Sequence, residues 1–273
     1  MKRLLFWALI ALSLIVPGLL INQQTQTPIS GLDVYFLDAG QGDAILIRSS
    51  SGQNILIDGG PDNLVLEKIG RLLPYKERMI DLAILTHPHA DHLLGLIAAL
   101  EKYQIPKILS TGINYQNSDY RYFQEIIGGK NTIIAEETEI KLSPNCSLKI
   151  IYPDENISGQ DSKNINNSSI VSELICQKDK ILLMGDAEVE VEKELLQSHA
   201  DLQAEAIKLG HHGSKTASSP EFIEQVSPQT AIITVGEGNK YNLPSPETLD
   251  EMEKLGIKVI RTDLAGTIKM HLE

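Results

Sequence analysis

Cysteine is nearly absent: Cys146 and Cys176 are the only two in 273 residues. Two cysteines cannot make a disulfide framework, so a packed core must hold the chain. Each lies in or beside a strand-like segment. In an oxidising compartment they could pair, two free buried thiols are the other reading, and the sequence does not choose between them. Basic residues are also scarce. Lys and Arg number 24 against 36 Asp and Glu, for a net charge of −12 at pH 7, and no long basic run occurs. That field is poor for a polyanion and leaves only a local patch or a metal pair to bind one. No short-period repeat is present, and no linker beyond residue 31 is long enough to separate a pair of independent domains. The domain of about 240 residues is large enough for one sizeable core.

Charge is missing altogether from residues 4–21, which follow Lys2 and Arg3. A basic start followed by an apolar stretch sends a chain to a membrane, and this stretch lies at the lower limit for spanning a bilayer. No A-x-A-like cleavage site follows it, and no cysteine is there to take a lipid. Residues 1–22 are therefore expected to be a signal-anchor, with a cleaved signal peptide as the alternative. Residues 23–30 read as a polar linker and residues 31–273 as the folded domain. The domain is expected outside the cytoplasm, tethered by one N-terminal helix or secreted.

What is present is an ordinary globular composition, 42% hydrophobic and 22% charged. Residues 32–38, 44–47 and 54–57 read as strands joined by tight turns, the start of a largely antiparallel sheet. Residues 64–73 carry apolar positions at helical spacing and stop before Pro74. Helices are expected at 93–103, 120–127, 189–196 (with Glu on its outer face), 220–226 and 247–255. Strands are expected at 82–85, 107–109, 132–135, 139–142, 148–152, 170–176, 181–184, 206–209, 231–235, 259–260 and 267–270. Hairpins and helices thus recur in two halves, which suits two sheets packed face to face with helices outside.

Between strand 82–85 and helix 93–103 runs Thr86-His87-Pro88-His89-Ala90-Asp91-His92. A chain leaving a strand into a tight loop can aim neighbouring side chains into one pocket. Imidazoles with one carboxylate are the ligand set that Zn²⁺ and similar ions prefer. A surface histidine loop is the bland alternative, but the HxHxDH spacing fits two adjoining metal sites. Two further strand ends carry ligand types, Gly185-Asp186 and Gly210-His211-His212-Gly213-Ser214. Taken alone, Asp186 reads as a helix N-cap and either histidine as structural. Taken with the first motif, the three strand ends could hold a metal pair, a carboxylate bridging through its two oxygens.

These motifs resemble the metallo-β-lactamase superfamily. More narrowly, the chain is similar to the hydrolase domain of ComEC-type competence (DNA-internalisation) proteins. The narrow likeness rests on Asp38-Ala39-Gly40-Gln41-Gly42-Asp43-Ala44, Ile57-Asp58-Gly59-Gly60, residues 86–95, Asn167-Ser168-Ser169, Gly185-Asp186 and residues 209–214. It continues into Arg261-Thr262-Asp263 and Gly266-Thr267-Ile268. The resemblance implies an αββα sandwich of the α/β class with two divalent ions, Zn or Mn, at one edge. His87 and His89 would hold the first ion, Asp91 and His92 the second, and Asp186 would bridge. One of His211 and His212 would complete the second site, since neighbours in extended chain point to opposite faces; which of them does is left open. Asp91 and His212 are the expected catalytic residues. Asn167, Ser168, Ser214 and Lys215 are expected to contact substrate, Ser214 and Lys215 beside backbone amides that could hold an oxyanion.

The likeness has two departures. Many superfamily members carry a further histidine ligand between the first motif and the bridging aspartate; here no histidine occurs between His92 and His199. The subfamily's Asn-x-Tyr-Gly-His-Pro reads Asn239-Lys240-Tyr241-Asn242-Leu243-Pro244, with leucine where histidine is usual. The function expected is that of an extracytoplasmic metal-dependent phosphodiesterase or nuclease, with a phosphodiester, DNA among the candidates, as substrate. Expected partners are the membrane through the N-terminal segment and other DNA-uptake components. A small-molecule phosphoester, lactone or thioester hydrolase is the first alternative, and a binding module with weakened turnover the second.

Overall fold

The computed structural model describes residues 31–74, 77–128, 130–198 and 201–273. The expected membrane segment and its linker, residues 1–30, lie outside the described residues, as does His199. Among the described residues no helix is long and apolar enough to cross a membrane.

The first half of the chain lays down β1 (Leu32–Phe36), β2 (Ile45–Ser49), β3 (Asn54–Ile57), helix α1 (Leu64–Leu72), β4 (Leu82–Leu85), α2 (Ala90–Lys102), β5 (Lys107–Ser110), α3 (Ser118–Ile127) and β6 (Asn131–Ile134). The second half gives β7 (Thr138–Ser143), β8 (Cys146–Tyr152), β9 (Val171–Cys176), β10 (Asp179–Leu183), α4 (Val189–Gln197), β11 (Ala206–Lys208), α5 (Pro220–Val226), β12 (Thr230–Ile233), α6 (Pro246–Lys254), β13 (Lys258–Arg261), a short α7 (Thr262–Ala265) and β14 (Ile268–Leu272). Two seven-stranded sheets result, ordered β14-β1-β2-β3-β4-β5-β6 and β13-β12-β11-β10-β9-β8-β7. The last strand returns to the first sheet, where it pairs antiparallel with β1. Apart from β1–β14, the antiparallel pairs join strands consecutive in the chain, and connections through helices give the parallel ones.

Strict alternation explains the two-layer packing. Leu32, Val34 and Phe36 of β1, Ile45 and Ile47 of β2, and Ile55 and Ile57 of β3 point between the sheets. There they meet Leu148 and Ile150 of β8, Leu174 of β9, and Ile181 and Leu183 of β10. The intervening Tyr35, Leu46 and Leu56 point outward under Val65 and Ile69 of α1 and Leu93 and Leu96 of α2. On the far side Leu182, Ile207 and Ile233 pack against Val191 and Leu195 of α4 and Phe222 of α5. The strands are apolar on both faces because both faces are covered. The arrangement is the expected αββα sandwich. The cysteines resolve as a pair: Cys146 and Cys176 stand opposite each other on β8 and β9 and are joined by a disulfide.

Two helices depart from the sequence expectation. Helix α2 starts at Ala90, not residue 93, so Asp91 and His92 sit in its first turn, with His89 in extended conformation just before it. A carboxylate there also suits the helix dipole. One turn further on, Gly59 and Gly95 pass main chain to main chain, and a Cβ on either would overlap the other segment. Second, α4 does not turn all its glutamates outward. Glu192 is buried and accepts from the backbone N–H groups of Ser218 and Ser219 at 2.5 and 2.9 Å.

Candidate metal centre

The site lies along the edge where β3, β4, β10 and β11 end. Asp186 follows β10, and its Oδ2 sits 3.3 Å from His92 Nε2, 3.3 Å from His212 Nε2 and 3.8 Å from His87 Nε2. Asp91 Oδ2 stands 3.4 Å from His212 Nε2. Asp91, His92, Asp186 and His212 each offer one ligand atom, all within 4.8 Å of one another. On the neighbouring side His87 Nε2 and His89 Nδ1 face each other at 3.1 Å.

The surroundings decide which nitrogen each imidazole presents. His92 Nδ1 lies 2.8 Å from Asp58 Oδ2, and Asp58 is itself held by the Thr86 N–H at 2.8 Å and the Thr86 hydroxyl at 2.6 Å. His212 Nδ1 lies 2.9 Å from the Thr234 carbonyl. An acceptor at Nδ1 places the proton there and leaves Nε2 as a free lone pair. The hydroxyl proton of Thr86 is committed to Asp58, so towards His87 Nδ1, 3.2 Å away, Thr86 can only accept. His87 therefore also presents Nε2. His92 Nε2, His212 Nε2 and Asp186 Oδ1 are buried without a hydrogen-bond partner. Buried polar atoms are seldom left so, and imidazole lone pairs converging on carboxylates fit a divalent cation.

Electrostatics fit the same reading. Burial opposes charge on His92 and His212, yet Asp186 outweighs it at both, helped by Asp58 at the first and by Asp43 and Asp91 at the second, and both are held well above the usual imidazole range. Burial, then the nearby charge on His92, pushes His87 well below that range. Burial resists ionisation of Asp186, but His212 and His92 overcome it and keep the carboxyl ionised. Protons and metal ions compete for one set of lone pairs here.

His211 and His212 are separated by a turn rather than by extended-chain alternation. Both have left-handed backbone, with φ of 45° and 55°. His212 is buried and faces Asp186 and Asp91. His211 is half-exposed and faces Glu188 Oε1 at 2.9 Å. The structure thus brings His87, His89, Asp91, His92, Asp186 and His212 together, with His211 at the rim.

The expected substrate residues are placed elsewhere. Gln41, His89, Tyr115, Asn166, Tyr241 and Leu243 wall a cavity floored by Asp91, Asp186 and His212. Asn167 and Ser168 instead line the adjacent hollow with Tyr152 and Glu190. Ser214 bonds Thr216 behind His211, and Lys215 is exposed. The position where the resemblance puts histidine is Leu243, a wall residue with no proton to give.

Several participants carried no role in the sequence reading. Lys208, fully buried in β11, ion-pairs with Asp43, donates to the Gly185 carbonyl at 2.7 Å and lies 3.7 Å from Asp186 Oδ1. A lysine inside an apolar strand was the available signal, since a buried ammonium needs a carboxylate. Asp43 and Asp58 stood in the recognised motifs without an assigned contact. Ser169 Oγ accepts from the Asp186 N–H at 3.0 Å and lies 3.3 Å from His87 Nδ1. Nothing local in the sequence marked it over Ser168.

Residues 37–237 match the profile of the metallo-beta-lactamase superfamily. The chain belongs to that superfamily of metal-dependent hydrolases. Its curated relatives include competence-type proteins. It is 29% identical over 263 residues to "ComE operon protein 3" of Bacillus subtilis (strain 168), covering 87% of this chain and 32% of that protein. It is 27% identical over 271 residues to "Competence protein ComA" of Neisseria gonorrhoeae, covering 97% and 35%. The chain thus spans about a third of these relatives. Among solved structures, the metallo-beta-lactamase fold protein YhfI of Bacillus subtilis superposes with a TM-score of 0.57 at 10% identity, over 89% of this chain and 100% of that one. Igni18, a metallo hydrolase of Ignicoccus hospitalis, gives 0.56 at 15%, over 88% and 100%. Likeness at such identity speaks for the fold.

Proposed function

We propose that the protein is an extracytoplasmic metal-dependent phosphodiesterase that cleaves nucleic acid. The observation that carries this reading is the Asp91–His92–Asp186–His212 cluster, of which Asp91, Asp186 and His212 floor a cavity with an exposed aromatic rim. His87, His89 and Asp186 would hold one ion, and Asp91, His92, Asp186 and His212 the other. Ions bound there supply a water of near-neutral pKa and neutralise developing charge on a phosphoryl oxygen. Asp58 and the Thr234 carbonyl keep His92 and His212 oriented, and Asp91, nearest the open cavity, would orient the water. His211, fixed by Glu188, faces substrate from the rim. Leu243 offers no proton, so departure of the leaving group falls to His211 or solvent.

Tyr241 is 56% exposed at the cavity rim, and the Lys240 ammonium lies 5.1 Å from its ring centroid. Tyr241 and Lys240 also line a second hollow that shares Gln41, Ala90 and Asp91 with the cavity. An exposed ring beside a cation suits stacking of a base while the adjoining phosphate reaches the floor. Single-stranded DNA, duplex DNA, RNA, an aryl phosphodiester, a lactone and a thioester, each with Mn²⁺ or Zn²⁺, make the test. Cleavage of oligonucleotides is expected, and Tyr241→Ala should raise their KM about tenfold, the equivalent of one stacked base. Turnover confined to the lactone or thioester would replace this reading with the small-molecule one, which the net charge of −12 favours. No turnover with any of them would leave a binding module.

The Cys146–Cys176 disulfide supports a location outside the cytoplasm, since such bonds persist in oxidising compartments. Residues 1–22 would then be the tether or signal, and DNA-uptake components the neighbours. Protein denatured straight from its native cells in a thiol-trapping reagent should show no free thiol. Two free thiols would remove this support.

A further inference from the structure

We propose that Asn166 supplies an amide oxygen to the His87–His89 side of the centre and completes that ion's ligand set. The inference rests on the two-ion reading above and adds a ligand that the sequence did not mark. Unlike the Asp91–His92–Asp186–His212 side, the His87 side has only two imidazoles and a share of Asp186. Asn166 is 7% exposed and lines the same cavity as His89 and Asp186. Its Oδ1 is buried with no hydrogen-bond partner.

The amide cannot be turned round to remove that orphan. Its Nδ2 donates to Glu188 Oε1 at 2.9 Å, and an amide oxygen in that place would meet a carboxylate. Glu188 is itself fixed, since its Oε2 takes the Asn164 amide at 2.8 Å and its Oε1 takes the Thr216 hydroxyl at 2.9 Å. The Asn166 backbone N–H is held in turn by Asn164 Oδ1 at 3.1 Å. A short 3₁₀ turn, Ile165–Ser168, thus presents the side chain with nitrogen towards Glu188 and oxygen away from it. An unpaired, buried carbonyl oxygen in the wall of a cavity that His89 and Asp186 also line fits a cation. Oxygen ligands beside imidazoles also suit Mn²⁺ better than an all-imidazole set would.

The test is metal stoichiometry, read by equilibrium dialysis and elemental analysis of the purified chain without reference to turnover. Wild-type protein is expected to bind two Mn²⁺ per chain. Asn166→Ala should keep the ion on the Asp91–His212 side and weaken the other by about 10–100-fold or more, the range seen when a supporting group of a metal site is lost. His89→Ala should lose the same ion, and the double variant should lose nothing further. Asn166→Asp, which keeps an oxygen in place, should retain both ions. Equal melting of wild type and Asn166→Ala in EDTA would show that the fold is intact. Two ions bound by Asn166→Ala with wild-type affinity would overturn the proposal and leave the phosphodiesterase reading standing, as would an effect on KM alone. A wild-type chain that binds a single ion, unaffected by His89→Ala, would overturn both the assignment and the two-ion centre beneath it.

Discussion

Asp186→Ala is expected to lower kcat/KM by at least about 10³-fold and to strip the centre of both ions. Its Oδ2 is the one atom that three imidazole Nε2 atoms share, at 3.3, 3.3 and 3.8 Å. No other carboxylate can take over, since Asp91 approaches only from the His212 side and Asp58 is spent on His92 Nδ1. A metal acting as Lewis acid and water activator is worth several kcal/mol, and about 4 kcal/mol is about 10³-fold. Asp186→Asn should fail nearly as badly: it keeps the shape but removes the charge, and its amide nitrogen offers protons to lone pairs. Elemental analysis beside steady-state rates checks both. Retention of activity within tenfold in Asp186→Ala, with metal still bound, would show that another residue bridges the pair. Chelation of the wild type should lower the melting temperature, because any ligand bound only to the folded chain stabilises it.

The features legible in the sequence were those written in consecutive residues or in simple alternation. His87 to His92 could be read as ligands because six consecutive residues carry them all, and the apolar strands announced buried sheets through their composition. Asp186 and His212 became readable once a family pattern joined distant strand ends. What stayed hidden was set by three-dimensional contact. Asp91 and His92 ride in the first turn of a helix, and that helix packs main chain to main chain on Gly59 through Gly95, an approach no sequence pattern announces. His212, not His211, turns inward because both residues adopt left-handed backbone, which no alternation rule covers. The polar run at 164–169 holds three asparagines and two serines. Only the register of the 3₁₀ turn sends Asn166 and Ser169 to the centre and Asn167 and Ser168 away from it.

Lys208 carries the second large effect. Replacing it with methionine is expected to destabilise the metal-free protein by about 3–5 kcal/mol, the usual consequence of removing one partner from a buried ion pair. Methionine fills much of the lysine's volume, so little of the loss would come from a cavity. It would come from Asp43, fully buried and ion-paired to the Lys208 ammonium, whose ionised form burial opposes and that ammonium sustains. Neutralising the second partner should undo most of this. Asp43→Asn combined with Lys208→Met is expected to be more stable than Lys208→Met alone, in urea unfolding with EDTA throughout. The double variant should still bind metal poorly, because the lysine also clamps the Gly185 carbonyl at 2.7 Å, and Gly185, at φ 53°, aims Asp186. Stability and metal affinity therefore diverge in the double variant: the first follows the charge balance of the pair, the second the position of one backbone carbonyl. A single variant within about 1 kcal/mol of wild type would mean that Asp43 takes up a proton at little cost. The buried pair would then be dispensable to the fold, and Lys208 would act on Asp186 alone.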